Sequence, residues 1–470
     1  MTLIPISLAT KSNPARYPQG GTSRLVNCFL EDIGEEGKTK FAIYASDGLQ
    51  GFAATVGANG GVRAALAVGS YLYYVAGTAL YRVNASGVVA LVGSMNISQT
   101  APVYMARNRR ATPDVAVVCD GLMYYYRTTF QQVTDVDLLA PTSLAVVDGQ
   151  FVIGTADNKW QVGDIDAADS WDGLSFERAD ASPDAVVRVA ARQGEAVIFG
   201  EESVEFWQNV GGADGAGFSR SAVADIGCLA ANSAAVVEQS LAWVASDRTV
   251  RLLDGYQGRR ISTHAVERDI EALADRSQIT AASWVKDGHT LYSITSPAWT
   301  WVYDTVTGLW HNRESYGREN WRISTVTAFA GKLIAGDADT GNLYEMSAEF
   351  GDEAGEPLVM SATLPPVTAF PSRITFHSVH IDAETGVGTG QGATQDVDPE
   401  LVLSWSDDGG ATFRHERRLK LGEQGRRNVR LSTFRLGQCR SAGRVFRVTC
   451  SARVARALYQ MQADVEKDAA

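Results

Sequence analysis

From about residue 62 onward the chain repeats one short phrase: a strand of about five residues, a tight turn, and another strand. Residues 62–68 read as a strand, Gly69-Ser70 as a turn and 71–75 as the returning strand. Gly77 turns the chain again, 79–83 is a third strand, 84–87 a turn and 88–92 a fourth strand. Gly, Asn and Ser tolerate the backbone that such hairpins demand. Four antiparallel strands in about 30 residues describe one blade of a β-propeller. The phrase returns at 114–134, 143–162, 186–207, 234–253, 281–310 and 326–346, so units begin roughly every 40–50 residues. The turns that follow the first strands align as Val68-Gly69-Ser70, Val147-Asp148-Gly149, Arg192-Gln193-Gly194, Lys286-Asp287-Gly288 and Phe329-Ala330-Gly331. The repeat is divergent, and six or seven blades both fit it.

Outside the repeat the grammar changes. Residues 1–60 carry Pro5, Pro14, Pro18 and Gly20-Gly21 and read as an N-terminal arm with strands near 25–30 and 41–45. An acidic, Gly-rich stretch at 349–357, followed by Pro365-Pro366 and Pro371, marks a boundary. Beyond it, alternating segments such as 444–449 indicate a second all-β unit, a small sandwich. The division expected is an arm over 1–60, a propeller over 61–350, a linker over 351–372, a β-sandwich over 373–463 and a frayed tail over 464–470. A single helix is expected at 265–275, where Val266, Ile270 and Leu273 fall at helical spacing, and a flexible loop at 386–398. The fold class is all-β.

A net charge of −12 argues against a general nucleic-acid coat, which carries a basic surface. Cys28, Cys119, Cys228, Cys439 and Cys450 are scattered and odd in number, as expected of buried thiols in a reducing compartment. No apolar stretch approaches the roughly 20 residues of a membrane span, so no membrane insertion is expected. The first eight residues lack the basic start of a signal peptide, which points to assembly in a cytoplasm.

Catalytic constellations are missing from the sequence. Gly217-Phe218-Ser219-Arg220-Ser221 lacks the second glycine and the strand-to-helix setting of a nucleophile elbow. His377 and His380, three apart on a strand, face opposite sides and cannot share a metal without a bulge. Acidic pairs such as Asp164 with Asp166, Asp407 with Asp408 and Glu201 with Glu202 read as solvated turn carboxylates. The chain is read as non-enzymatic, without cofactor or metal.

Two features of the last hundred residues stand out. Ser406, Asp408, Gly410, Thr412 and Phe413 fit the S-x-D-x-G-x-T-[FW] box. In that box the side chains of Ser and Asp bond turn backbone, Gly supplies positive φ, and the aromatic packs beneath. It is read as a structural turn. Between residues 414 and 456 there are thirteen basic residues, Arg440 among them, against only Glu416 and Glu423. The rest of the chain is correspondingly more acidic. Arg414, Arg417, Arg418, Arg426, Arg427, Arg430 and Arg435 are the candidate interface, because arginine's planar fork pairs carboxylates two-pronged. An acidic neighbour, a second copy of the chain, DNA phosphates and plain solvation all remain open for them.

Several segments resemble the packaged-DNA stabilisation proteins, the tail hub or nozzle proteins of short-tailed bacteriophages. Phe199-Gly200-Glu201-Glu202-Ser203-Val204-Glu205-Phe206 is similar to the family's F-G-x-x-S/T-[IV]-E-[FYW] signature. Ala181-Ser182-Pro183-Asp184 resembles the run before it, the stretch from Arg24 to Glu31 its N-terminal element, and 404–414 its C-terminal hairpin. The resemblance implies a ring, normally of six copies, below the portal adaptor. Such a ring retains packaged DNA, lines the ejection channel without reading sequence, and docks tailspikes or fibres and a needle or plug. Its place would be the virion tail. A glycan-binding or glycan-cleaving virion propeller is the alternative, supported by the turn box and an expected exposed aromatic run at Trp299-Thr300-Trp301. A cellular propeller scaffold is a third reading, weakened by the family-like segments.

Overall fold

The computed structural model describes residues 2–211, 216–439 and 443–467. Seven four-stranded antiparallel blades surround one axis: 62–94, 104–132, 143–178, 186–224, 235–260, 280–312, and 323–347 with the strand Gly48–Ala53 added. That added strand lies before the propeller in sequence and pairs antiparallel with Leu343–Ser347. The last blade is thus completed from the chain's N-terminal side, and its inner strand Ile323–Phe329 packs on the first blade's Val62–Val68. The open count of six or seven blades resolves to seven.

The aligned turns do what their sequence requires. Asp148-Gly149, Gln193-Gly194, Asp287-Gly288 and Ala330-Gly331 each place both residues at positive φ (50° and 88°, 48° and 83°, 49° and 83°, 50° and 77°). That mirror-image turn matches the right-handed twist of the two strands it joins. Large aromatics fill the gaps between blades. Trp160, fully buried, meets Trp207 and Phe218 at ring distances of 5.3 and 5.4 Å, and Phe199 meets Trp243 at 5.5 Å. Each such ring removes roughly 150–250 Å² from water, and this apolar burial between blades holds the ring of sheets together. The expected helix is His264–Ala272, shorter than its pattern, with Ala265, Val266 and Ile270 buried between the fifth and sixth blades.

The two chain ends build the second unit together. One sheet of the sandwich holds Cys28–Asp32, Phe41–Ala45, Ala457–Lys467, Ile374–Ala383 and Leu431–Cys439, with Thr2–Ile6 also paired to Ala457–Lys467. The facing strands are Met360–Thr363, Val445–Cys450, Glu400–Ser406 and His415–Lys420. Phe376 and Phe446 meet edge to face across the core at 5.5 Å. The facing strands do not end at the sandwich. Through Arg24–Val26 they join the sixth blade in one nine-stranded sheet.

Three boundaries therefore change. Residues 1–60 form no free arm. Leu25, Cys28, Leu30 and Ile43 are buried in the sandwich core, while 48–53 belong to the propeller. The expected linker contains the buried strand Met360–Thr363, because Leu358, Met360, Ala362 and Leu364 alternate at period two and are all buried. The expected frayed tail is ordered to Lys467, because Asp464 and Val465 pair with Leu3 and Thr2, and the 374–383 strand holds Ala457–Lys467 from its other edge. The 386–398 loop carries the short helix Thr394–Val397 and is tied by the Gly386 amide donating to the Leu421 carbonyl at 2.8 Å. All five cysteines are unpaired and buried, and burial pushes the Cys28 thiol up to about 12 and Cys228 to about 11.

Candidate docking surfaces

The joint between propeller and sandwich is polar and closed. Arg313 and Glu353 are both nearly inaccessible, and the Arg313 guanidinium lies 4.1 Å from the Trp321 ring centre. The Trp321 indole donates to Glu353 at 3.1 Å, and Arg313 donates to the Asp47 carbonyl. The Asp47 carboxylate pairs with Lys286. Burial raises the Glu353 carboxyl and lowers Arg313 to about 10, and the two charges, 3.9 Å apart, oppose those shifts. On the outer side Arg24 pairs with Glu314 at 2.5 Å, while Asn27 donates to the Glu314 and Val359 carbonyls at 2.9 and 3.1 Å. A continuous sheet and these buried bonds make one stiff body of the two units.

The propeller axis is narrow. It holds a cavity of about 550 Å³ lined from all seven blades. Arg188, on the fourth blade's inner strand, lies 4.9 Å from the Tyr104 ring of the second blade and donates to the carbonyls of Ala231 (2.8 Å) and Ala234. Such a space suits small molecules. It cannot pass a DNA duplex, whose major groove alone is about 12 Å wide.

The basic stretch divides in two. Arg444 is 1% exposed and grips Asp407 with two bonds, and Arg456 is buried with its guanidinium on the Leu358 carbonyl. Arg447 covers the Phe413 ring at 3.6 Å, and Arg453 pairs with Asp352 at 3.1 Å. These four are structural, a role sequence counting could not assign because their acceptors lie far away in the chain. Arg440 is outside the described residues.

The seven candidate arginines are all exposed. Arg414 precedes and Arg417 and Arg418 lie on His415–Lys420, the outermost strand of the nine-stranded sheet. Arg426, Arg427 and Arg430 sit in the segment leading to Leu431–Cys439, the outermost strand of the other sheet, which carries Arg435 at φ 61° beside the exposed Phe434. Both sheets thus present a free edge on the same side of the sandwich. Arg418 has Glu400 and Glu416 at 3.7 Å, and Arg417 leans on Trp405 at 5.6 Å. Among the described residues, no carboxylate comes within salt-bridge distance of Arg414, Arg426, Arg427, Arg430 or Arg435.

The turn box closes on itself. Ser406 donates to Asp408, whose carboxylate accepts from the Thr412 amide (2.9 Å) and hydroxyl (2.6 Å), while the Gly410 amide donates to Ser406 Oγ at 2.9 Å. Those bonds hold Asp408 well below the usual carboxylate range. A Cβ on Gly410 would meet Thr22 Oγ1 at 2.4 Å, so the turn packs against the chain's N-terminal segment. Its carboxylate oxygens are occupied by the turn itself. The expected exposed aromatics are a correction: Trp299 and Trp301 are 7% and 1% exposed, filling the gap beside the helix, where the Trp301 indole donates to Asp269 at 2.9 Å.

Comparison with known proteins agrees with this two-part architecture. The model of the bacteriophage P22 Gp10 β-propeller matches residues 23–351, and that of the bacteriophage P22 Gp10 β-sandwich matches residues 366–466. No curated protein sequence matches the chain. Similar solved structures include the computationally designed Ika8 protein (TM-score 0.41, 14% identity, 63% of this chain and 99% of that one). The extracellular domain of the putative hybrid two component system BT4673 from B. thetaiotaomicron is another (TM-score 0.45, 9% identity, 64% and 39%). A third is the Neurospora crassa Pan2 WD40 domain (TM-score 0.41, 7% identity, 64% and 96%).

Proposed function

The chain belongs to the bacteriophage P22 Gp10 family of phage structural proteins, and on that premise we propose that it is a tail hub. Copies of it form a closed ring, six in number, below the portal adaptor of a virion assembled in the host cytoplasm. The ring retains the packaged DNA, its inner wall lines the ejection channel, and its outer surface docks tailspikes or fibres and a needle or plug.

The observation that carries this reading is the narrow axis of a stiff body. A duplex has no path through the propeller, whose axial cavity is about 550 Å³, so a channel has to be enclosed between copies. Head-to-tail contacts that close on themselves give such a ring. The fused nine-stranded sheet supports a load-resisting role, since the two units cannot hinge without breaking sheet pairing. The net charge of −12 fits a wall along which DNA slides without sequence-specific contacts.

The test is assembly of particles without the chain. They should fill with DNA and then lose it, read as nuclease-sensitive genome outside the capsid, and the purified chain added back should stop the loss. Particles that keep their DNA without it would overturn the proposal. The glycan reading loses its aromatic platform, because Trp299 and Trp301 are buried.

A further inference from the structure

The molecule has two oppositely charged corners. The first is the segment between the two free sheet edges, where Arg426, Arg427 and Arg430 stand exposed. Its backbone is pinned: the Gly425 amide donates to the Gly386 carbonyl at 3.0 Å, and the Thr385 hydroxyl to the Arg427 carbonyl at 2.8 Å. The guanidiniums are thus presented from a fixed frame, and none has a carboxylate partner among the described residues. Free strand edges invite pairing with another chain, and charge on them restricts which chain is accepted.

The second corner follows from the topology of the fourth blade. The turn after its second strand carries Glu201 and Glu202, and its outer strand Phe218–Ala224 runs directly into Asp225. Val204 pairs with Ala224, so turn and strand end lie side by side on one face of the propeller. Asp184 adds a fourth carboxylate there, accepting from the Glu202 amide at 2.7 Å and the Ser203 amide at 3.1 Å. Glu201, Glu202 and Asp225 are exposed, and no cation is within salt-bridge distance of them among the described residues. This turn is also the exposed part of the family-like segment 199–206, whose Phe199, Val204 and Phe206 are buried in the core.

We infer that the two corners meet between copies: the Arg426, Arg427 and Arg430 edge of one copy docks on the Glu201, Glu202 and Asp225 corner of the next. The assignment rests on the ring reading for its setting and on charge complementarity for its partner. A basic patch and an acidic patch at different places on one chain favour a head-to-tail contact over a symmetric pair. Arginine's fork provides two parallel bonds to each carboxylate.

Two variants test it, R426E/R427E/R430E and E201K/E202K/D225K, with self-association measured at low salt by analytical ultracentrifugation. Each variant alone sets like charge against like charge and should associate about a hundredfold more weakly than the unmodified chain. An equimolar mixture restores opposite charges at every contact and should associate again, with alternating copies. Added salt should weaken both the native and the mixed association, since the charges are exposed. Near-native association of either variant alone, or a mixture as weak as its components, would overturn the inference. Circular dichroism of each variant shows that loss of association is not loss of fold. Failure of the unmodified chain to join the portal adaptor would count against the ring reading alone, since pairing of the two variants is read without the adaptor.

Discussion

Arg444 donates from Nε to Oδ1 of Asp407 at 2.7 Å and from Nη2 to Oδ2 at 2.9 Å, and its third nitrogen reaches the Leu436 carbonyl at 2.9 Å. The guanidinium lies 4.7 Å from the Phe376 ring and 5.5 Å from Trp405, so the pair anchors the turn box to the sandwich core. Removing Asp407 strands a buried cation. Asp407→Ala should cost about 3 kcal/mol, the low end for a broken buried pair because a third of the Asp407 side chain stays in solvent. The urea midpoint checks it. R426E/R427E/R430E, in contrast, should leave that midpoint nearly unchanged.

His311 predicts an acid sensitivity. Burial lowers its pKa from 6.5 to about 4, so the imidazole stays neutral in the fold. The unfolded chain takes up a proton below pH 6.5 that the folded chain refuses until about pH 4. Stability is therefore full above pH 6.5 and falls as pH drops toward 4, by up to roughly 3 kcal/mol. Since the His311 ring lies 6.1 Å from Phe29, the loss concerns the seam between the sixth blade and the N-terminal strands. Unfolding free energy measured from pH 7 to 4 should flatten in His311→Phe; an unchanged slope would contradict the assignment.

At the joint, Glu353→Ala leaves Arg313 without its buried counter-charge and the Trp321 indole without an acceptor. A loss of about 3–5 kcal/mol is expected. Calorimetry should also separate one transition into two, as the sandwich loosens from the propeller. A single transition at the original temperature would contradict the stiff-body account.

The turn box makes a narrower prediction. Asp408 is fully exposed, yet the Ser406 and Thr412 hydrogen bonds stabilise its charged form. Its carboxylate should titrate below the ordinary range in a carbon-detected NMR titration, and Ser406→Ala should move it upward.

The propeller was legible because its information is local. Turns such as Asp148-Gly149 and Asp287-Gly288 need left-handed backbone, and that need is written in the two residues themselves. What escaped was non-local. The strand Gly48–Ala53, with its two glycines, has no strand-like composition and is fixed by Leu343–Ser347 at the far end of the propeller. Met360–Thr363 was hidden between Gly and Pro signals, although its alternation was present. Arg444 and Arg426 look alike in sequence, and Asp407, brought in by the turn after Glu400–Ser406, makes the first structural. Trp299 and Trp301 read as a surface pair because the helix that covers them is an insertion between blades.

The ring reading is most directly tested by mass photometry of the full chain, alone and mixed with the portal-adaptor complex. The account predicts particles heavier than the adaptor complex by six chains of 50.5 kDa. An adaptor peak that does not shift, with the chain remaining at its own mass, would contradict it.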